Sequence, residues 1–340
     1  MNWESLRRSR LAGIILWPLS LIYGVVVLAR VRAYARGQLK PNRLRGAVIS
    51  VGNLTVGGVG KTPMVLWLAE KFLAEGKRVA ILSRGYRGAD GTSDEIELLR
   101  HRLADRVQFG VGADRFASGS ALEASQPIDI FLLDDGFQHF QLARDVNILL
   151  MDASRSLTNE DLLPAGSLRE PLSAMTRADI LIFTRAETQP GVTAAVTNLS
   201  SYPVFAASTK LLGFRRFGDT SMNLQSAQQI GAGPFFAFCG IGNPQAFFRD
   251  LENWQVPVAA EKVFRDHHRY TASDILAITR AAESAGARAL VTTEKDAKNL
   301  AATFDKFPVY IAIIDIEIAQ ERDLLLLIHA KLADRAGAPS

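Results

Sequence analysis

One stretch constrains this chain more than any other: Val48-Ile49-Ser50-Val51-Gly52-Asn53-Leu54-Thr55-Val56-Gly57-Gly58-Val59-Gly60-Lys61-Thr62-Pro63. An apolar run leads into a glycine-rich turn. The turn leads into Val65, Leu68, Ala69, Phe72 and Leu73, apolar residues at helical spacing. Strand, loop and helix in that order form a phosphate-binding loop. Backbone N–H groups of the loop and first helical turn face an anion, and the helix dipole favours negative charge there. Thr55, Val56, Gly57, Gly58, Val59 and Gly60 make the loop, and Gly57 and Gly58 permit positive φ and close backbone approach. Lys61 is placed to reach the β/γ-phosphates and the Thr62 hydroxyl to ligate Mg²⁺. Pro63 falls in the first helical turn, where a missing N–H costs little. The usual pattern has Gly where this chain has Thr55. Ordinary turn glycines are the competing reading, and Gly-Lys-Thr in this context disfavours it.

The 340 residues suffice for a large core and two lobes. A chain 48% hydrophobic and 22% charged folds rather than staying disordered. Its single cysteine, Cys239, rules out an internal disulfide and suits a reducing compartment. Residues 1–45 hold nine Lys/Arg against one acid, Glu4, so that segment carries +8 of a chain total of +4 and the rest carries −4. The basicity is local and gives no case for nucleic-acid binding.

Leu11 to Ala29 is a nearly unbroken apolar run without charge. As a helix it spans about 28 Å, close to the ~30 Å of a bilayer's hydrocarbon core. Arg7, Arg8 and Arg10 precede it, and Arg30 and Arg32 follow it. A spanning helix, an interfacial helix and a buried core helix all remain open. Cations on both flanks fit an interfacial or shallow anchor and set no orientation.

Beyond it, strands alternate with helices. Arg78–Leu82, Ile130–Leu133, Val146–Met151 and Asp179–Phe183 read as strands, with polar residues at their carboxyl ends. This predicts an α/β fold: a P-loop NTPase-like parallel sheet with helices on both faces, ligands binding at the carboxyl edge. Patterning weakens around Lys210–Gly231. A second, smaller α/β lobe follows, with strands at Phe235–Cys239, Val258–Val263, Arg288–Thr293 and Val309–Ile314 and a closing helix from Ala319 to Ala333. The expected division is 1–45 for the N-terminal apolar helix and its basic flank, 46–210 for the P-loop core, 211–232 as a connecting segment and 233–340 for the second lobe.

Asp134-Asp135 follow four apolar residues, the form of a Walker B strand, where one carboxylate holds Mg²⁺ directly or through water. Gln138 and His139 add polar groups beside that edge. Ser93-Asp94-Glu95 offers a carboxylate to accept a proton from an attacking hydroxyl, and it equally reads as a helix N-terminus. Asp266-His267-His268 supplies the elements of an Asp–His dyad, against a surface loop as the bland reading. Arg115 and Arg169-Glu170 complete the candidates, since an Arg stabilises charge on a transferring phosphoryl group.

With those segments in hand, the chain resembles the tetraacyldisaccharide 4′-kinase family, the lipid A 4′-kinases of Gram-negative bacteria. The resemblance runs from the N-terminal apolar helix to about Asp296. It rests on residues 51–63, Ser-Arg-Gly-Tyr (83–86), Asp-Glu (94–95), Leu-Asp-Asp-Gly-Phe-Gln-His (133–139), Leu-Pro-Ala-Gly-Ser-Leu-Arg-Glu-Pro (163–171), Phe-Arg-Asp-His-His-Arg-Tyr (264–270) and Thr-Thr-Glu-Lys-Asp (292–296). Thr55 is in keeping with this family, whereas Ser167 stands where its pattern has Pro. The resemblance implies ATP- and Mg²⁺-dependent phosphorylation of the 4′-hydroxyl of an acylated glucosamine disaccharide 1-phosphate. It places the enzyme on the cytoplasmic face of the inner membrane, attached to the lipid surface through the N-terminal helix. By that similarity Asp94 is the general base, assisted by His267, although the motif leaves His268 open. Lys61 and Thr62 handle phosphates and Mg²⁺. Glu95, Glu170 and Asp134 or Asp135 are candidates for the metal and its surroundings. Arg115, Gln138, His139 and Arg169 line the phosphate or substrate site, and Tyr86 contacts substrate.

A membrane-associated P-loop ATPase switch that leaves lipid unmodified is the alternative. The deviant Walker loops of that class carry a signature Lys where this chain has Val56, which disfavours it.

Overall fold

In the computed structural model the described residues are 10–85, 93–155, 160–188, 202–219, 223–231, 233–300, 304 and 306–337. In chain order the elements are α1 (Arg10–Ala35), β1 (Ala47–Asn53), α2 (Lys61–Ala74), β2 (Val79–Ser83), α3 (Asp94–Leu103), β3 (Gln108–Val111), α4 (Arg115–Ser125), β4 (Ile130–Asp134), β5 (Val146–Asp152), β6 (Ile180–Thr184), β7 (Val204–Arg216), β8 (Phe235–Cys239), α5 (Pro244–Asn253), β9 (Val258–Val263), α6 (Ala272–Ser284), β10 (Ala289–Thr293), α7 (Glu294–Lys298), β11 (Val309–Ile318) and α8 (Glu321–Gly337). They fall into two compact units. The first comprises residues 1–85, 103–208 and 317–340, the second residues 86–102 and 209–316.

In the first unit the strands lie in the order β3-β2-β4-β1-β5-β6-β7, all paired in parallel. The inner strands are buried along both faces, which is why they read as continuous apolar runs rather than alternating ones. β4 flanks β1 on one side and β5 on the other, so strand order reverses at β1, the place where a doubly wound sheet opens a ligand crevice. Register sets the carboxyl ends level: Val51 faces Asp134, and Asp152 faces Thr184. Gly52 is required here, because a Cβ on it would lie 2.6 Å from the Phe137 backbone nitrogen.

The closing helix α8 belongs to this first unit, not to the second lobe as chain order suggested. Leu324 and Ile328 are its buried face. His329 meets Glu75 at 3.0 Å, Lys331 meets Asp179 at 2.8 Å and Arg335 meets Asp145 at 3.0 Å. Helix α1 is also part of it. The Ser20 hydroxyl donates to Leu162 O at 2.9 Å and accepts from Ala165 N–H. The Tyr23 hydroxyl donates to Arg169 O at 3.0 Å, and Tyr34 stacks on Phe140. Away from these contacts Trp17, Ile22, Val25 and Val26 are exposed, Val25 to 67%. Leu16–Ala35 is long and apolar enough to cross a membrane.

In the second unit the parallel order is β11-β10-β8-β9. Phe247, Phe248 and Leu251 of α5 pack on one face of β8, and Ile278 and Ala282 of α6 on the other. Two differences from the sequence expectation stand out. Residues 86–102, with α3, group with this unit. Lys210–Arg216 is the end of the 13-residue strand β7, within which the boundary between the units falls, after Ser208. Its alternating, half-buried pattern is too weak for periodicity to reveal.

Candidate functional site

The first unit builds the loop from β1 outward. Gly60, at φ 84°, caps α2, and Gly57 adopts φ 110°, both left-handed conformations that favour glycine. Asn53, fully buried, donates from Nδ2 to Thr55 O at 2.6 Å and accepts Lys61 Nζ on Oδ1 at 3.2 Å. A strap runs along the loop's start: Val56 N–H donates to Ser167 O and Arg169 N–H to Leu54 O. From β6 the Thr184 hydroxyl donates to Val59 O at 3.0 Å, and Arg185 Nη1 bonds Asp152 Oδ2 at 2.6 Å. Val59 is buried; Thr62 is half-buried in the first turn of α2. A Cβ on Gly58 would meet no atom within 4 Å, so the loop's crest is open.

Lys61 Nζ lies 3.3 Å from Asp135 Oδ1, and Arg169 Nη1 lies 2.8 Å from both oxygens of the same carboxylate. Burial pushes the Asp135 carboxyl up, but Lys61 and Arg169 outweigh it and hold it below the usual range. Asp135 has φ 51°, a strained conformation for a non-glycine residue at a strand end. Asp134 is 6% exposed, with Ser83 Oγ at 3.5 Å. Gln138 Nε2 donates to Asn53 O at 3.0 Å.

Arg115 Nη1 lies 3.3 Å from His139 Nδ1, both side chains being buried. Burial first, then Arg115, Arg144 and Arg30, push His139 down to about 4, so its imidazole is neutral at pH 7. Nδ1 therefore accepts from Arg115, and the proton sits on Nε2. Glu170, 1% exposed, is held by Arg177 at 2.8 Å, and Arg177 in turn lies over the rings of Phe137 and Phe140.

The second unit carries the other candidates. Ser93 caps α3 through Ile96 N–H, which puts Asp94 and Glu95 in the first turn, where the helix dipole favours them. Asp94 Oδ2 lies 2.9 Å from His267 Nδ1. That bond holds Asp94 below its ordinary range and His267 above its own. Of the two histidines, His267 makes this contact; His268 bonds Asp274 and stacks on Phe264. Glu95 Oε1 lies 3.2 Å from Lys295 Nζ. Burial pushes Glu95 up, and the Lys295 charge brings it below the usual range. Tyr86 lies outside the described residues.

Sequence reasoning gave no role to Lys295, Asn299, Asn53 or Thr184. Lys295 stands in a quoted motif, and its contacts with Glu95, Asp266 and His267 need the fold to appear. Asn299 reads as a helix C-cap, and Thr184 as a strand end.

The donors fit a magnesium nucleotide. Arg115 Nε and His139 Nε2 are buried donors without a partner among the described residues, near the Asp134-Asp135 charges, and a phosphate oxygen would satisfy them. The described residues gather no group of three or more His, Cys, Asp or Glu for a metal. Mg²⁺ needs only one or two protein oxygens beside those of phosphate, and Thr62 with Asp134 or Asp135 would supply them.

A glycine cradle, a lysine and strand-end carboxylates at the switch point of a parallel sheet define a P-loop nucleotide-binding protein. The sequence profile of Tetraacyldisaccharide-1-P 4'-kinase, LpxK, matches residues 12–333. The chain belongs to that family, and is thus an ATP-using kinase. It is 37% identical over 335 residues to the tetraacyldisaccharide 4'-kinase of Geobacter metallireducens, covering 93% of this chain and 97% of that one. With the Geobacter sulfurreducens enzyme of the same name it shares 39% over 327 residues, 91% of this chain and 90% of the relative. The crystal structure of LpxK from Aquifex aeolicus in complex with ATP matches with a TM-score of 0.73 at 29% identity, covering 93% of this chain and 98% of that one.

Proposed function

We propose that this chain phosphorylates the 4′-hydroxyl of a tetraacylated glucosamine disaccharide 1-phosphate, with Asp94 as the general base. The carrying observation is the Asp94–His267 contact at 2.9 Å in a family of 4′-kinases. A sugar hydroxyl is a poor nucleophile. Asp94 accepts its proton as the oxygen attacks the γ-phosphorus of ATP; the bond from the γ-phosphorus to the bridging oxygen breaks, and ADP leaves with that electron pair. His267 orients the carboxylate and balances its charge. Lys61, Arg115 and Arg169 stabilise charge spreading over the phosphoryl oxygens. Mg²⁺, when bound through Thr62 and Asp134 or Asp135, supplies further charge neutralisation there.

A substrate with four acyl chains stays in the bilayer, so the enzyme works at the membrane. The exposed apolar residues of α1 and the cations that follow it fit attachment to the cytoplasmic face of the inner membrane, where ATP is available. The test is γ-labelled ATP with the disaccharide 1-phosphate in mixed micelles. Label on the lipid supports the reading; free phosphate with unmodified lipid overturns it in favour of an ATPase switch.

A further inference from the structure

The bonds to Asp94 converge on one of its two oxygens. Oδ2 takes the His267 Nδ1 contact at 2.9 Å and also accepts Asn299 Nδ2 at 3.1 Å. No hydrogen bond reaches Oδ1 among the described residues. The reverse orientation of the Asn299 amide would set its oxygen against a carboxylate, two acceptors face to face, so the donor orientation is the one the network selects.

Asn299 is held from behind. It closes α7; its N–H donates to Asp296 O at 2.9 Å, and its carbonyl accepts Tyr270 N–H at 3.1 Å. The Asp296 carboxylate, 1% exposed, accepts Gly240 N–H, the Tyr270 hydroxyl and the Thr293 hydroxyl. His267 hangs from the same frame, because its N–H donates to Gly240 O. One buried carboxylate therefore fixes the backbone behind both groups that grip Asp94.

We propose that Asn299 is a positioning residue for phosphoryl transfer: with His267 it occupies Asp94 Oδ2, stops the carboxylate from turning, and leaves Oδ1 to take the proton of the sugar hydroxyl. This rests on Asp94 being the base. The terminal torsion of an aspartate is broad and roughly two-fold, so a single donor restrains it weakly and two donors on one oxygen define it. An amide suits this task. It donates a hydrogen bond without giving up a proton, so it holds Oδ2 without filling the base's own proton site. The balance is simple: the hydroxyl proton goes to Oδ1 and the hydroxyl oxygen forms the new bond to phosphorus.

The test compares Asn299→Asp, Asn299→Ala and Asp94→Asn in transfer to lipid at saturating ATP. Asn299→Asp keeps the side chain's size and removes the donor. Both Asn299 variants are expected to lose kcat roughly 10- to 100-fold, the cost of a misplaced reacting group. KM for lipid, affinity for a fluorescent ATP analogue and Tm stay at wild-type values. Asn299→Asp does no better than Asn299→Ala, and Asn299→Asp placed on Asp94→Asn adds no further loss. Near-wild-type kcat in Asn299→Asp, with Asp94→Asn inactive, overturns the positioning role and leaves the base intact. Full activity in Asp94→Asn overturns the base and the proposal with it. A parallel fall in Tm or ATP affinity in Asn299→Asp makes the residue merely structural. If Asn299→Ala does not fold, Asn299→Asp decides alone.

Discussion

The imidazole of His267 lies 2.9 Å from the carboxylate of Asp94, a residue 173 positions earlier in the chain. Each moves the other's titration: Asp94 is lowered and His267 raised, in both cases chiefly through this bond. A lowered carboxyl stabilises the fold above its ordinary value and loses that contribution as pH falls through the folded value. A raised imidazole stabilises below its ordinary value and loses that contribution as pH rises through the folded one. Both contributions are present together between about pH 4 and 6.5, the ordinary values of the two groups. The Tm difference between wild type and His267→Gln is therefore expected to be largest in that window and to shrink towards pH 8. In Asp94→Asn the His267 titration, followed by NMR, is expected to shift down.

Lys61 is poised by Asn53 and Asp135, at 3.2 and 3.3 Å. Lys61→Ala removes the ammonium proposed to stabilise the transferring phosphoryl group. Transfer is expected to fall at least about 100-fold, with weaker nucleotide affinity. Label transfer and nucleotide titration check both.

Thr184 braces the loop from outside by its bond to Val59 O. Thr184→Val keeps the shape and removes the donor, leaving a buried carbonyl short of a partner. The expected cost is about 1 kcal/mol in urea unfolding, with a several-fold loss of ATP affinity because the loop is less well held.

Trp17, Ile22, Val25 and Val26 of helix α1 are exposed, and α1 is the proposed membrane anchor. Deleting residues 1–32 is expected to move the protein into the soluble fraction. The deletion also removes the Ser20 and Tyr23 bonds to residues 162–169, so a modest fall in Tm accompanies it. Unchanged membrane fractionation contradicts this assignment of the anchor.

The loop and the buried strands were legible because their signals are local. Val48, Ile49 and Val51 are buried and apolar, Gly60 turns left-handed, and Lys61 and Thr62 follow directly. β8 and β9 occupy the stretches that their composition indicated. What the sequence left dark depends on distant partners. α8 reads as an ordinary closing helix, and only the partners of His329, Lys331 and Arg335 show which unit it joins. β3 is four residues of weak pattern. Ser93-Asp94-Glu95 reads equally as a helix start and as a base; the fold has the helix start, and the cap that begins α3 also presents Asp94 to His267. Glu170 reads as a metal candidate by its place in a motif, and the fold engages its carboxylate with Arg177.

Asp94 is the group proposed to take the proton from the acceptor hydroxyl. The direct measurement is the rate of label transfer from ATP to the disaccharide 1-phosphate by Asp94→Asn, alongside its affinity for nucleotide. A fall of about 10²- to 10⁴-fold, the range of general-base catalysis, with nucleotide affinity unchanged is the expected result. Transfer at the wild-type rate contradicts the account.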